Sequence, residues 1–279
     1  PPCAEALARA GVRRVVGAAS DPDSRVSGRG YAILRAAGIE VVEGVLARQA
    51  ADGMAGYLMR SMKKRPEVAL KLALSSDGMI GRRGAGQVII TGEIARREVH
   101  LMRAEADAVI VGIGTATEDD PELTVRLPGL AARSPARLVL DRQARLPLAS
   151  KLVRDAAKVP LLIAAAPDAD AGRRAALEEA GARFLATETF DGRIALPELL
   201  EDLAAQGMSS VLVEGGAATA SHFLADDLVD RIVLFHGPSA IGEGGIRSPV
   251  DRETIPAGFR FVREARFGDD FCAEWVRDI

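Results

Sequence analysis

From residue 67 the chain alternates in one period and then another. Val68, Leu70, Leu72 and Leu74 are separated by Ala69, Lys71 and Ala73, the period-2 pattern of a strand. Residues 92–106 switch to helical spacing, with Ala95, Val99, Met102 and Ala106 forming a core stripe. Thr91 reads as the N-cap of that helix, and Glu93 falls in its positive first turn. A strand follows at 108–112. Further strands are predicted at 137–141, 160–165, 182–186, 210–214, 231–235 and 271–276, with helices over 170–180, 197–206 and 217–226. Strands alternating with helices predict an α/β sheet with helices on both faces. The last strands lack helical crossovers, which predicts an antiparallel edge.

The first sixty residues read as a separate zone. A helix over 4–10, a strand over 12–18, a glycine-rich loop at 27–30, a helix over 31–37, a strand over 39–44 and a helix over 45–60 are expected. Lys63-Lys64-Arg65-Pro66 then reads as a solvated linker, because Pro66 blocks helix continuation and the charges prefer water. The chain opens on Pro1-Pro2-Cys3, without a methionine and in mid-pattern, so the expectation is a domain that lacks its front.

Composition narrows the classes. The 279 residues are 48% hydrophobic and 27% charged, as in ordinary globular proteins. A net charge of −3 argues against a general binder of nucleic acid or membrane surfaces. No apolar run approaches the roughly 20 residues of a membrane span, and no signal peptide is visible. Cys3 and Cys272 stand at opposite ends and make no disulfide framework, so a cytoplasmic location is expected.

Three groups of residues could carry chemistry. Lys71, alone among alanines on its strand face, is either a lysine reaching back to water or a cation kept for a ligand. Val213-Glu214-Gly215-Gly216-Ala217-Ala218-Thr219 crosses from a strand end to a helix start, where small residues and free N–H groups suit a phosphate, or simply a tight turn. It is not the dinucleotide fingerprint. Gly112, Gly114, Thr115, Asp119, Asp120 and Arg126 lie in the loop leaving a strand, where open α/β sheets bind ligands. Asp119-Asp120-Pro121 also reads as an ordinary turn, and no histidine or third carboxylate stands near enough in sequence to suggest a metal.

The ordered phrases LKLALSSDG (70–78), ITGEIARR (90–97), HLMRAEADA (100–108), VGIGT (111–115) and DDPELTVR (119–126) closely resemble the reductase domain of the bifunctional riboflavin-biosynthesis deaminase–reductase family. The resemblance implies a dihydrofolate-reductase-like mixed sheet over residues 67–279. It implies NADPH as cofactor and a phosphoribosylated aminopyrimidine as substrate, with a homo-oligomer expected. By resemblance Lys71, Asp119 and Glu214 are the catalytic positions. Ala73, Ile89, Thr115, Asp119, Arg142 and Gly216 through Ala217, Ala218, Thr219, Ala220, Ser221 and His222 would meet the cofactor. Gln87, Arg103, Leu123, Arg126 and Glu214 would meet the substrate. Arg103 and Arg126 also make physical sense as a pair of forks for a ribose phosphate. The family phrase often carries a serine and a tryptophan where this chain has Gln87 and Ile89, and Ile89 lacks an aromatic plane to lie against nicotinamide.

The same family ends its zinc-deaminase half in a phrase like that of Pro2-Cys3-Ala4-Glu5-Ala6-Leu7. Residues 1–62 therefore resemble a truncated α/β/α cytidine-deaminase-like domain. Cys3 would be its one remaining zinc ligand, and none of His100, His222 or His236 has the context of the missing ones. Zinc is expected only in the complete domain, with reduction retained and deamination absent here. Two other readings stay open: a same-fold reductase of another pterin or pyrimidine precursor, and a non-catalytic nucleotide-binding member.

Overall fold

The computed structural model describes residues 2–19, 21–23 and 27–278, so Pro1 of the zinc phrase lies outside the described residues. The chain divides into two compact units, one formed mainly by residues 1–64 and the other by 65–278.

The first unit contains α1 (Cys3–Arg9), β1 (Arg14–Val16), α2 (Arg29–Ala36), β2 (Glu40–Val42), α3 (Ala47–Gly53) and α4 (Ala55–Lys63). β1 and β2 pair in parallel, with Val15 opposite Val41. Ala4, Leu34 and Ile39 form a small core with Tyr31 packed on it. A Cβ on Gly17 would meet the hydroxyl end of Tyr31, so that side chain would have to shift. The single helix expected over 45–60 is two, broken at Met54, where the backbone turns to φ −114. Gly53-Met54 interrupts a sequence that otherwise reads as helical throughout.

The second unit is built on one sheet. Its elements are β3 (Glu67–Leu74), β4 (Met79–Arg82), α5 (Glu93–Glu105), β5 (Ala108–Gly112), α6 (Ile113–Glu118), β6 (Ala136–Leu140), α7 (Lys151–Arg154), β7 (Leu161–Ala165), α8 (Ala171–Glu179) and β8 (Arg183–Ala186). They continue as β9 (Thr189–Phe190), β10 (Arg193–Ile194), α9 (Leu196–Ala205), β11 (Ser210–Val213), α10 (Ala217–Ala225), β12 (Arg231–His236), β13 (Gly245–Arg247), β14 (Phe259–Phe267) and β15 (Asp270–Arg277). The strand order β14-β15-β12-β3-β11-β5-β6-β7-β8 makes nine strands. Those from β12 to β8 are parallel; β15 and β14 add the antiparallel edge. β11 lies between β3 and β5, so the strand order reverses there, the place where such sheets bind ligands.

Alternation decides which helices cover which face. Val68, Leu70, Leu72 and Leu74 join the core under α9 and α10, with Leu199, Leu203 and Phe223. The opposite face, bearing Ala69, Lys71 and Ala73, is covered near Lys71 by α5 through Ala95 and Val99. Farther along, α6, α7 and α8 pack on Val109, Val111 and Ile163. Helices therefore lie on both faces, as the sequence predicts.

Three expectations need correction. Thr91 is buried and does not cap α5; the N-cap is Gly92, whose N–H donates to the Asp270 carboxylate at 2.7 Å. Arg65 is not part of a solvated linker, for it forks onto Asp230 at 2.6 and 2.8 Å, and Asp230 also accepts from the Val68 N–H. The segment after β5 does not begin as a loop: its first six residues are α6.

Candidate active site

Glu214 follows β11 at the reversal point and has 8% of its side chain exposed. Arg103, from α5, donates to both of its oxygens, Nε at 2.6 Å and Nη2 at 2.9 Å. Lys71 Nζ stands 3.8 Å from the same carboxylate and 5.9 Å from the centre of the Phe235 ring. Burial pushes Glu214 up, but Arg103 and Lys71 outweigh it and hold the carboxyl below its usual range. Burial pulls Lys71 down, with Glu214 opposing. Two cations thus keep one buried carboxylate ionised and fixed.

The Thr124 carbonyl completes this corner. Arg103 Nη1 donates to it at 3.2 Å, and His100 Nδ1 lies 3.1 Å from it. Burial, then Arg103 and Arg126, hold His100 below the usual imidazole value. The surrounding loop carries two non-glycine residues in the left-handed region, Asp120 (φ 39) and Leu123 (φ 56). Each is held: Asp120 accepts from the Lys151 N–H at 2.8 Å, and Leu123 is buried. Asp119 has its pKa raised by burial and by Glu118.

These groups line a cavity of about 710 Å³ beside Lys71 and Ala73, which Ile80, Gln87, Ile89, Arg96, Arg103, Thr115, Asp119, Leu123, Arg126, Glu214 and Gly216 also reach. The segment from Gln87 to Thr91 and the helix α5 that follows it line the same cavity. Ile89 is 70% exposed at that opening. Sequence reasoning passed over Ile80, Arg96 and His100; the last two share a helix face with Arg103 at steps of four and three, a signal present in the sequence.

The other expected cofactor positions are arranged differently. Gly216 is the N-cap of α10, and its N–H donates to Thr115 Oγ1 at 2.9 Å. A Cβ on Gly216 would come within 3.1 Å of that hydroxyl, so the backbone is bare where a ligand would approach. No side chain caps α10, which leaves the first-turn amides at Ala217 and Ala218 open to an anion. Thr219 and Ala220 are instead buried in packing, and His222 faces Asp226 at 3.4 Å. Ser221 and His222 are not among the cavity-lining residues, and neither is Arg142, which lies past β6 and reaches Asp168 at 3.4 Å. Arg142 Nε is buried without a partner, a donor left over for an oxygen ligand. The bare turn, the uncapped helix and the spare guanidinium donor fit a phosphate-bearing dinucleotide.

The zinc position does not fit. Cys3 is exposed at the start of α1, and among the described residues no three His, Cys, Asp or Glu side chains are grouped to hold a metal. Nor, among them, is any helix long and apolar enough to cross a membrane.

A large mixed α/β sheet with a charged cavity at its reversal point is the frame of a domain that binds a small molecule. Residues 66–273 match the RibD C-terminal domain family, and the chain belongs to it, as a reductase domain of riboflavin biosynthesis. It is 34% identical over 254 residues to riboflavin biosynthesis protein RibD of Aquifex aeolicus, covering 89% of this chain and 69% of that protein. RibD of Acinetobacter baumannii superposes with a TM-score of 0.81 at 32% identity, over all of this chain and 77% of that one. The diaminohydroxyphosphoribosylaminopyrimidine deaminase/5-amino-6-(5-phosphoribosylamino)uracil reductase of Thermotoga maritima gives 0.80 at 29% identity, over 100% and 75% of the two chains.

Proposed function

We propose that this chain reduces the ribosyl group of 5-amino-6-(5-phosphoribosylamino)uracil to the ribitylamino product, with NADPH as the reductant. The observation that carries the reading is Glu214, buried at the cavity floor and fixed by Arg103 and Lys71. NADPH, when bound, would be the source of the hydride that the anomeric carbon of the ring-opened ribose takes up. The residues supply position and charge. Glu214 accepts hydrogen bonds from the amino groups of the pyrimidine side, and Arg103 keeps it ionised for that purpose. Lys71, next to it, would stabilise the electron pair that moves onto the imine nitrogen as the C=N π bond is reduced, the proton for that nitrogen coming from Lys71 or from solvent water. Asp119, Thr115 and Gly216 hold the cofactor side, so that donor and acceptor meet at short range. Arg142, with a buried Nε donor that has no partner, would hold the 2′-phosphate and so set NADPH above NADH.

Residues 1–62 are read as similar to the end of the deaminase half, with Cys3 at the position of one of its zinc ligands. The whole reading is tested by following NADPH and NADH oxidation with and without the aminouracil substrate. Substrate-dependent oxidation that prefers NADPH is expected. Oxidation indifferent to the substrate, or none at saturating NADPH, sinks it.

A further inference from the structure

The loop after β6 carries Arg142, and its backbone is fastened from three sides. Within the loop, the buried Asp141 carboxylate accepts from the Leu146 N–H at 2.8 Å. Just past β7, the Ala166 N–H donates to the Arg142 carbonyl at 3.0 Å. From α8, Arg173 donates Nε to the Ala144 carbonyl at 3.2 Å and Nη2 to the Leu146 carbonyl at 2.9 Å. Ala144 and Leu146 are both buried, and no other described residue donates to either carbonyl. Without Arg173 two buried acceptors would be left unmade. Ala144 also stands at φ 53, in the left-handed region that a residue with a Cβ keeps only where its surroundings hold it. Arg173 is fixed in turn, for its own N–H donates at 2.7 Å to Asp170, the N-cap of α8.

Arg142 stands two residues before Ala144. Its Nε is buried without a partner, and Nη2 reaches only Asp168, at 3.4 Å, whose side chain is 74% exposed. An exposed pair at that distance holds a guanidinium weakly. The backbone of the loop, more than any side-chain partner, therefore decides where Arg142 sits. β11, β5 and β6 run parallel, so Arg142 and the open amides at the start of α10 stand at the same edge of the sheet. The ends of β11 and β6 are two strand spacings, about 10 Å, apart.

We infer, on the reading of Arg142 as the residue that would hold the 2′-phosphate, that Arg173 is a positioning residue for cofactor selection. By holding the Ala144 and Leu146 carbonyls it sets the loop, and the loop presents Arg142. The ligand class is an adenosine nucleotide with a phosphate monoester on its 2′ oxygen. Arg173 acts on that phosphate through Arg142, from a helix that carries no other residue assigned to the site.

Calorimetric titration of the full chain with adenosine 2′,5′-bisphosphate and with adenosine 5′-phosphate reads the 2′-phosphate without turnover. The wild type is expected to prefer the bisphosphate, and Arg142→Gln to remove most of that preference. Arg173→Gln should cut the preference roughly 10-fold, as a misplaced charge-assisted bond would, with affinity for the 5′-phosphate within about two-fold of wild type. Arg173→Lys keeps the charge and can still reach one carbonyl, so it should fall between. It also carries the test if the glutamine variant lowers the thermal midpoint. In the Arg142→Gln background, Arg173→Gln should change the preference no further, because the two act in series. Full preference in Arg173→Gln overturns the inference. Equal weakening of both nucleotides also overturns it, and so does a loss of preference that persists undiminished in the Arg142→Gln background. A wild type without preference, or an Arg142→Gln chain that keeps it, removes the assignment of Arg142 itself and the inference with it.

Discussion

Thr219 is wedged against two glycines, Gly112 and Gly215, which end β5 and begin the turn into α10. A Cβ on Gly215 would stand 2.5 Å from Thr219 Cβ, a separation that forces the turn to move. Gly215→Ala should therefore cost about 1–3 kcal/mol of stability by overpacking. Thr219→Ala in the same chain should restore much of it, read in a denaturant double-mutant cycle. Additive effects would show that the crowding is relieved elsewhere. Arg103 offers the complementary test. Its removal leaves Glu214 buried with only Lys71 near, so Arg103→Ala should destabilise by roughly 3–5 kcal/mol, and Glu214→Gln in that background should recover part of the loss. Chemical unfolding of the three variants decides it; no recovery means that the charge is not what costs. Lys71, Arg103 and Glu214 each stood out in the sequence, but their mutual contact did not. Spacing shows which residues share a strand face or a helix stripe, and Glu214 lies far along the chain from both partners.

The elements best read from the pattern were those with a buried face and a clear period, β3 and α5 above all. β14 escaped notice because it is the edge strand: five of the nine residues Phe259–Phe267 are exposed and four are charged, so no alternation marks it. β4 and β13 escaped because they form a short two-stranded arm with an irregular register rather than a core strand. What holds that arm is Asp77, in the turn from β3 to β4. Its carboxylate accepts from the Ser75 hydroxyl at 2.5 Å and from the Ile241 and Gly242 N–H groups at 3.1 and 2.8 Å. These bonds, that of Ser75 first, lower its pKa from 3.8 to about 2. A folded value below the unfolded one contributes stability that is full above the unfolded pKa and fades as pH falls toward the folded one. Between about pH 4 and about pH 2 the wild type should lose stability that Asp77→Asn lacks from the start. Thermal midpoints for both chains across that range check the point, and parallel pH slopes would remove Asp77 as the cause.

The structure sets the boundary of its second unit at Arg65. Every residue proposed for reduction lies between Lys71 and His222, within that unit. A chain of residues 65–279 should therefore fold alone and keep aminouracil-dependent NADPH oxidation within a few-fold of the full chain, while neither chain releases ammonia from the diaminopyrimidine precursor. Loss of reduction in the shorter chain would give residues 1–64 a part in the chemistry. The strand order has a further bearing, on the time at which the site comes into being. β3 carries Lys71 and is the first strand of its sheet to be made, yet its two hydrogen-bonded neighbours, β11 and β12, both lie in the last third of the chain. During synthesis Lys71 therefore waits on a strand with neither edge satisfied, while β5 through β8 can already pair among themselves. Non-local closure of this kind is slow and leaves open edges for other chains. Insertion of β11 joins β3 to β5 and delivers Glu214 to its lysine, and β12 then closes the other edge of β3, so the site comes into being only as the sheet nears completion.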